Sequence, residues 1–68
     1  MNIKIRINGD ERTIAKGLTV AELLDVLKVR RQTAIVEHNR NILDRNSYEK
    51  TIVIEGDEFE LVRFVGGG

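Results

Sequence analysis

The sequence predicts an α+β fold in which a mixed sheet of four to five strands packs on one main helix. Alternating apolar and charged residues predict strands near both ends of the chain, and a single helical pattern lies between them. The length of 68 residues suits one domain. Ile, Leu, Val and Phe make up about a third of the chain, well above the roughly 20% below which disorder is expected. We therefore expect one folded domain over residues 1–65, followed by a flexible glycine tail over residues 66–68.

A β-hairpin is predicted at the start of the chain. Ile3, Ile5 and Ile7 alternate with charged residues, so their side chains are expected on the buried face of the first strand. The turn is assigned to residues 8–10, because Asn8 and Gly9 readily adopt positive φ. The second strand is then expected over residues 12–15.

A helix is predicted to start at Thr19, which forms the capping-box pattern with Glu22. Its apolar positions recur at helical spacing and predict about three turns; they are Val20, Leu23, Leu24 and Leu27. Three cations follow at the expected C-terminal end, where the helix dipole favours them; they are Lys28, Arg30 and Arg31. We interpret them as a solvated helix end rather than as a phosphate site.

The second half of the chain predicts three more strands. A third strand over residues 34–38, a turn over residues 39–41 and a short fourth strand, Ile42-Leu43, form another hairpin. The polar residues 44–50 predict a loop or one helical turn, with Tyr48 as the anchor of a satellite core. Residues 51–54 are mostly apolar, and the last strand, residues 58–65, is expected beside the first.

The last strand predicts an exposed apolar patch on the open face of the sheet. Phe59 and Leu61 have the parity of the buried face. Val62 and Phe64 then face outward, and Ile35 joins them because Val36 points inward. We hypothesise that Ile35, Val62 and Phe64 dock partner enzymes. The alternative is that they are isolated surface residues, which are common.

Two polar features near the last strand are ambiguous. Four acidic residues cluster at its start: Glu55, Asp57, Glu58 and Glu60. They predict either a surface that steers a basic partner or a solvated edge that discourages aggregation. His38 lies at a strand end with the parity of Val36, which favours a packed or half-buried structural role over metal ligation.

Composition excludes several functions. Basic and acidic residues balance at 11 each, so no overall field attracts nucleic acid or a membrane. There is no Cys and one His, which removes disulfides, thiolate metal sites and a cysteine nucleophile. A serine triad would have to recruit Ser47 from a polar loop. With no membrane-spanning run and no signal peptide, we expect a cytoplasmic protein. Because no acid, base and nucleophile constellation is visible in the sequence, we expect that it is not an enzyme and binds no cofactor of its own.

The chain closes on three glycines, Gly66 to Gly68, which admit two interpretations. They are a frayed terminus or leftover linker, or they form a tail thin enough to enter a narrow channel and approach a bound nucleotide. In the second case the α-carboxylate of Gly68 is the reactive group. A terminal carboxyl group ordinarily has a pKa of about 3.3 to 3.7, so it is ionised at neutral pH and can attack phosphorus without a general base.

Several short motifs carry a family resemblance. They are Val65-Gly66-Gly67-Gly68, Gly56-Asp57, Thr19-Val20-x-x-Leu23-Leu24, and Val36-Glu37-His38-Asn39 leading to Ile42-Leu43. Together they resemble the ThiS family of bacterial thiamine-biosynthesis sulfur carriers over essentially the whole chain. Two residues depart from that pattern. Arg40 stands where glycine often follows the turn asparagine, and Asp44 stands where proline often precedes an arginine. Both lie in the loop around the short fourth strand.

The resemblance implies a ubiquitin-like β-grasp fold and a carrier cycle. A ThiF-like, E1-like adenylyltransferase would use ATP and magnesium to convert the Gly68 carboxylate to an acyl-adenylate. Sulfur from cysteine, through a cysteine desulfurase or another donor, would displace AMP and leave a thiocarboxylate. A ThiG-like thiazole synthase would accept that sulfur. Gly66 and Gly67 would be the recognised lead of the tail.

Other functions remain open at this stage. A sibling carrier, such as the small subunit of molybdopterin synthase or a ubiquitin-like modifier, would share the tail and the adenylation step. A plain β-grasp binding module would leave the glycines inert. The short chain and the Val-Gly-Gly-Gly ending favour the thiamine branch. Because the chain has no Cys, it cannot carry sulfur as its own persulfide, and the terminal carboxylate is the obvious carrier.

Overall fold

The computed structural model describes residues 1–63. It contains five strands, one α-helix and one 3₁₀ turn: β1 (Asn2–Ile7), β2 (Asp10–Ala15), α1 (Val20–Val26), β3 (Ala34–His38), β4 (Asn41–Ile42), the 3₁₀ turn (Arg45–Ser47) and β5 (Glu58–Arg63). The strand order is β2-β1-β5-β3-β4. β1 and β5 pair in parallel, and the other neighbours pair antiparallel. This arrangement confirms the predicted α+β, β-grasp fold.

The core lies between the sheet and the helix, as the strand parity predicts. Ile3, Ile5 and Ile7 are buried together with Phe59 and Val36, and Leu61 packs against them at the margin. The helix contributes Val20, Ala21, Leu23 and Leu24. Alternation in β1 and β5 therefore assigned the correct face to Ile3, Ile5, Ile7, Phe59 and Leu61.

Tyr48 belongs to this main core rather than to a satellite core, which corrects the prediction. It is buried in the same cluster as the helix residues, and its carbonyl oxygen accepts from the amide of Ala21 at 3.0 Å. The preceding 3₁₀ turn confirms a single helical turn within residues 44–50. Asp44 caps it, because its carboxylate accepts from the amide of Asn46 at 3.1 Å.

The helix starts as predicted and ends early. The capping box is present: the Glu22 amide donates to the Thr19 hydroxyl at 3.1 Å, and the Thr19 amide donates to the Glu22 carboxylate at 2.9 Å. The helix then spans seven residues, about two turns rather than three. The prediction extended it too far because Leu27 keeps the helical spacing, although it is already the C-cap residue.

The helix ends in a Schellman motif. Lys28 has a positive φ of 59°, its amide donates to the Asp25 carbonyl, and the Val29 amide donates to the Leu24 carbonyl at 2.9 Å. The three cations predicted at the helix end therefore lie beyond it, so the helix dipole does not account for them. One of them, Arg31, forms an exposed ion pair with Glu49 at 3.6 Å.

Both hairpins use the same kind of turn. Asn8 and Gly9 have φ of 50° and 86°, and Asn39 and Arg40 have φ of 50° and 73°, so each pair matches a type I′ turn. Asp10 therefore belongs to β2 rather than to the first turn. In the second hairpin the strand pairing starts one residue earlier than predicted, at Asn41, and ends at Ile42.

Residues 51–57 lead from the 3₁₀ turn to β5. Val53 is buried, and Ile52 forms an isolated bridge with Thr19. Within residues 1–63, no helix is both long enough and apolar enough to cross a membrane.

Candidate functional site

The last strand lies in the middle of the sheet and runs towards the predicted tail. β5 pairs with β1 only through Glu58 and Phe59, at the C-terminal end of β1. Its remaining residues extend past that end and pair with β3 alone. Phe64 and the tail residues Gly66, Gly67 and Gly68 lie outside the residues that the structure describes, so their predicted roles stay predictions.

Asn8 extends the pairing of β5 beyond the end of β1. Its backbone amide donates to the Phe59 carbonyl at 2.9 Å. Its side-chain oxygen accepts from the Leu61 amide at 2.8 Å, and its side-chain nitrogen lies 3.4 Å from the Leu61 carbonyl. The amide group of one turn side chain thus replaces the backbone partner that β1 no longer supplies.

Asn39 has the corresponding position in the second hairpin. Its backbone amide donates to the Glu58 carbonyl at 2.8 Å, and its side-chain oxygen accepts from the Glu58 amide at 2.9 Å. β5 is therefore bonded on one side by Asn39 near its start and on the other side by Asn8 further along. Both asparagines can adopt this role because positive φ is tolerated better by asparagine than by most residues.

Asp57 is a buried carboxylate at the start of this strand. It is 3% exposed and accepts from the Ile54 amide at 2.9 Å, from Asn39 Nδ2 at 3.2 Å and from His38 Nε2 at 3.1 Å. His38 also stacks on Phe59 with ring centroids 4.9 Å apart. The predicted structural role of His38 is confirmed. The prediction that Asp57 belongs to an exposed acidic cluster is wrong, because its side chain is buried.

The other acidic residues are on the surface but differ in setting. Glu55 accepts from the Lys4 amide at 3.1 Å. Glu58 is in register with Arg6, and Glu60 lies opposite Glu37 across β5 and β3. A recess of about 460 Å³ on this face is lined by both signs of charge, including Arg6 and Arg40. The open face is therefore mixed in charge rather than uniformly acidic.

The structure brings together two of the three residues predicted for the docking patch. Ile35 and Val62 are direct cross-strand partners, so their side chains share the open face. Val62 is 52% exposed, and Ile35 is half-buried. The third predicted residue, Phe64, is not described. Ile42, which the prediction left out, is 74% exposed and pairs with Glu37 on the same face.

The sequence pattern did not reveal the roles of several residues that are important for this site. Asn8 and Asn39 were recognised as turn residues, but their bonds to β5 depend on strands that are distant in sequence. Asp57 was placed on the surface because it sits among other acids. In the part of the chain that the structure describes, no three His, Asp or Glu side chains are arranged to hold a metal ion.

These features define a β-grasp domain whose central strand ends at Arg63, two residues before the three glycines in the sequence. The sequence model of the ThiS family matches residues 5–68, which includes all three terminal glycines. The chain therefore belongs to the ThiS family.

Comparisons with individual proteins agree with this assignment. The crystal structure of the thiamine biosynthesis protein ThiS from Geobacter metallireducens superposes with a TM-score of 0.84 at 38% identity, over 97% of this chain and all of that one. The sulfur carrier protein ThiS of Escherichia coli is 33% identical over 97% of this chain and 100% of its own length. The thiazole synthase of Paramagnetospirillum magneticum is 41% identical over 97% of this chain, which spans only 20% of that relative.

Proposed function

We propose that the protein is the sulfur carrier for thiazole formation in thiamine biosynthesis, and that Gly68 is the residue that is adenylated and then carries the sulfur. The observation that carries this proposal is the family match, which runs through the tail to residue 68. A relative of similar length, from Escherichia coli, is named as a sulfur carrier. On this basis partners recognise the folded domain, and the reactive carboxylate belongs to the glycine tail, residues 66–68.

The chemistry follows from the terminal carboxylate. A carboxylate oxygen of Gly68 attacks the α-phosphorus of ATP, a P–O bond breaks and magnesium pyrophosphate leaves. The product is an acyl-adenylate with AMP as a good leaving group. Hydrosulfide attacks the acyl carbon, the C–O bond to AMP breaks, and a thiocarboxylate remains. A persulfide donor would instead form an acyl disulfide, and a thiol reductant would then cleave its S–S bond, leaving the thiocarboxylate while the thiol is oxidised to a disulfide. The carrier contributes the carboxylate, while the E1-like adenylyltransferase contributes the ATP site and the magnesium ion.

Gly66 and Gly67 allow the carboxylate to reach that nucleotide. A residue without Cβ occupies the least width and accepts backbone conformations that other residues avoid, so two successive glycines suit a narrow channel. The carrier is consequently a protein substrate rather than a catalyst. A cysteine desulfurase, or another donor, would supply the sulfur.

Thiazole synthase is the proposed acceptor. A relative with that name contains a region similar to nearly all of this chain within a longer sequence. That relationship favours the thiamine pathway over molybdopterin synthesis and over protein modification, which were two of the alternatives from the sequence.

Docking of both enzymes is assigned to the open face beside the tail. Ile35 and Val62 form an apolar pair there, and Phe64, which has the same parity as Val62, is proposed to extend it. Exposed apolar side chains that lie together are typical of interaction sites. Because the pair is next to the start of the tail, an enzyme that contacts it can also receive Gly68.

The role of Gly68 can be tested by pyrophosphate exchange. Adenylation is reversible, so the cognate adenylyltransferase should incorporate labelled pyrophosphate into ATP only when the carrier is present. Deleting Gly68 should abolish exchange while leaving the circular dichroism spectrum unchanged. A chain extended beyond Gly68 by a tag should also be inactive. If the extended chain supports exchange without being trimmed, the proposed function is wrong.

A further inference from the structure

A groove lies on the helix side of β5, on the opposite face from Ile35 and Val62. It has a volume of about 460 Å³. Four apolar side chains line it: Ile7, which is buried, and Leu27, Val29 and Leu61, which are half-buried. Its position is set by the early end of α1, since the Schellman motif turns the chain away and leaves Leu27 and Val29 beside β5.

The rim of this groove is basic. It is formed by Asn8, Arg12 and Arg63, with no acidic side chain among the lining residues. Both arginines are exposed. The Arg63 guanidinium lies 3.5 Å from the Lys28 carbonyl oxygen, at the end of the helix. The ion pairs within residues 1–63 are Arg31 with Glu49 and His38 with Asp57, so neither rim arginine is neutralised by one of them.

The two sides of β5 therefore differ in charge, although the whole chain is neutral. Glu58 and Glu60 point to the open face, whereas Leu61 and Arg63 point to the helix side. Arg63 is also the last residue before the segment that leads to Gly68. An enzyme that encloses that segment would lie close to both faces of β5, and could contact the basic groove on one face and the apolar pair Ile35 and Val62 on the other.

We propose that this groove is a second docking surface, which receives an acidic segment of the adenylyltransferase carrying an apolar side chain. The inference rests on the proposed function and adds the chemistry of the contact. The two guanidinium groups present donors that suit carboxylates. The half-buried Leu27, Val29 and Leu61 would lose their remaining exposure beneath an apolar side chain.

The test compares charge-reversal variants with a control of equal charge. Arg12→Glu combined with Arg63→Glu should raise the KM for the carrier in pyrophosphate exchange by about tenfold or more, corresponding to about 1.4 kcal/mol or more. Arg12→Gln with Arg63→Gln should raise it less. The control is Lys16→Glu, which is compared with the single variants Arg12→Glu and Arg63→Glu because it makes the same change in charge. Lys16 lies next to Met1, away from the groove, so Lys16→Glu should leave the KM near the wild-type value. Circular dichroism verifies the fold of each variant.

NMR spectra of the ¹⁵N-labelled chain locate the contact independently of turnover. Adding the unlabelled adenylyltransferase should shift or broaden the amide signals of Val29, Leu61 and Arg63 in the wild type, and much less in the doubly reversed variant. An unchanged KM in that variant, or unperturbed groove amides while the wild type is still adenylated, would overturn the inference and leave the proposed function standing.

The remaining outcomes are equally decisive. If the wild-type chain supports no exchange at all, the proposed function fails, and the inference about an adenylyltransferase fails with it. If sedimentation shows that the chain alone dimerises and that the doubly reversed variant is a monomer, the occupant of the groove is a second copy, and the inference is wrong.

Discussion

Asn8 and Asn39 occupy equivalent positions in the two hairpins, and both side chains bond the backbone of β5. Asn8 accepts from the Leu61 amide, and Asn39 accepts from the Glu58 amide. The sequence was sufficient to place both residues in turns, because asparagine is common where φ is positive. It could not reveal the bonds to β5, since the partners are 53 and 19 residues away.

Arg40 stands where the family resemblance predicts glycine, and it carries a local strain. Its φ is 73°, a conformation in which the Cβ of an L-residue is unfavourable. We expect Arg40→Gly to be more stable than Arg40→Ala by about 1 kcal/mol, because only glycine removes that clash. Urea denaturation of the two variants measures the difference. Equal stabilities would show that the turn relaxes without cost.

Asp57 should be the acidic residue that matters most for stability. Asp57→Ala leaves the Ile54 amide, Asn39 and His38 without a shared buried acceptor, and we expect a loss of about 3 kcal/mol in the free energy of unfolding. Glu58→Ala is the control, because it removes a neighbouring exposed carboxylate and should change stability by roughly 0.5 kcal/mol or less. Thermal and urea unfolding check both. Similar losses in the two variants would contradict the proposed network.

At the scale of elements, the strand pattern, the bounds of β3 and the start of the helix were predictable, whereas the end of the helix and the bounds of β2 and β4 were not. Period-two alternation assigned the buried faces of β1 and β5 correctly, because one face of the sheet packs on the helix. The helix was predicted too long, because Leu27 continues the apolar spacing while the backbone has already left the helix at Lys28. A positive φ at a lysine has no clear sequence signal, whereas a glycine there would have marked the end.

The projecting part of β5 depends on Asn8, and this dependence can be measured. Asn8→Gly keeps the positive φ but removes the side-chain acceptor of the Leu61 amide. We expect hydrogen exchange of that amide to accelerate about fivefold, corresponding to about 1 kcal/mol. Asn8→Asp keeps an acceptor oxygen and serves as the control. Unchanged exchange at Leu61 in Asn8→Gly would mean that pairing with β3 alone orders this end of the strand.

At the scale of the whole molecule, the apolar surface residues fall into separate regions. Val62 lies beside Ile35 near the end of β5, whereas Ile52 lies with Met1 and Ile54 around the start of β1. β5 pairs only with the opposite end of β1, so the two regions are at different ends of the sheet. Only the first is next to the proposed tail.

This separation gives a matched test of the docking patch. Val62 and Ile52 are 52% and 51% exposed. Val62→Asp should weaken binding to both the adenylyltransferase and the thiazole synthase by about tenfold or more, since a charge cannot be buried in an apolar contact without cost. Ile52→Asp should bind as the wild type does. Phe64→Asp should behave like Val62→Asp. Calorimetry with each enzyme measures these affinities, and equal binding of Val62→Asp and Ile52→Asp would exclude the patch.

The function was accessible from the sequence only through the combination of motifs and chemistry. Each motif is short, but together they indicate a sulfur carrier, and because the sequence has no Cys, the hypothesis places the sulfur on the Gly68 carboxylate. The helix-side groove was not predictable, because Arg12 and Arg63 are 51 positions apart in the sequence. They line the same groove only because β2, β1 and β5 are neighbours in the sheet.

The central claim is that sulfur is carried on Gly68, and intact-mass spectrometry tests it directly. The native-ended protein is incubated with ATP, magnesium, the cognate adenylyltransferase and a sulfur donor, and the reaction without ATP is the control. The predicted result is replacement of one oxygen by sulfur, which fragmentation assigns to Gly68. An unchanged mass with a demonstrably active adenylyltransferase, or sulfur found at any other residue, would contradict it.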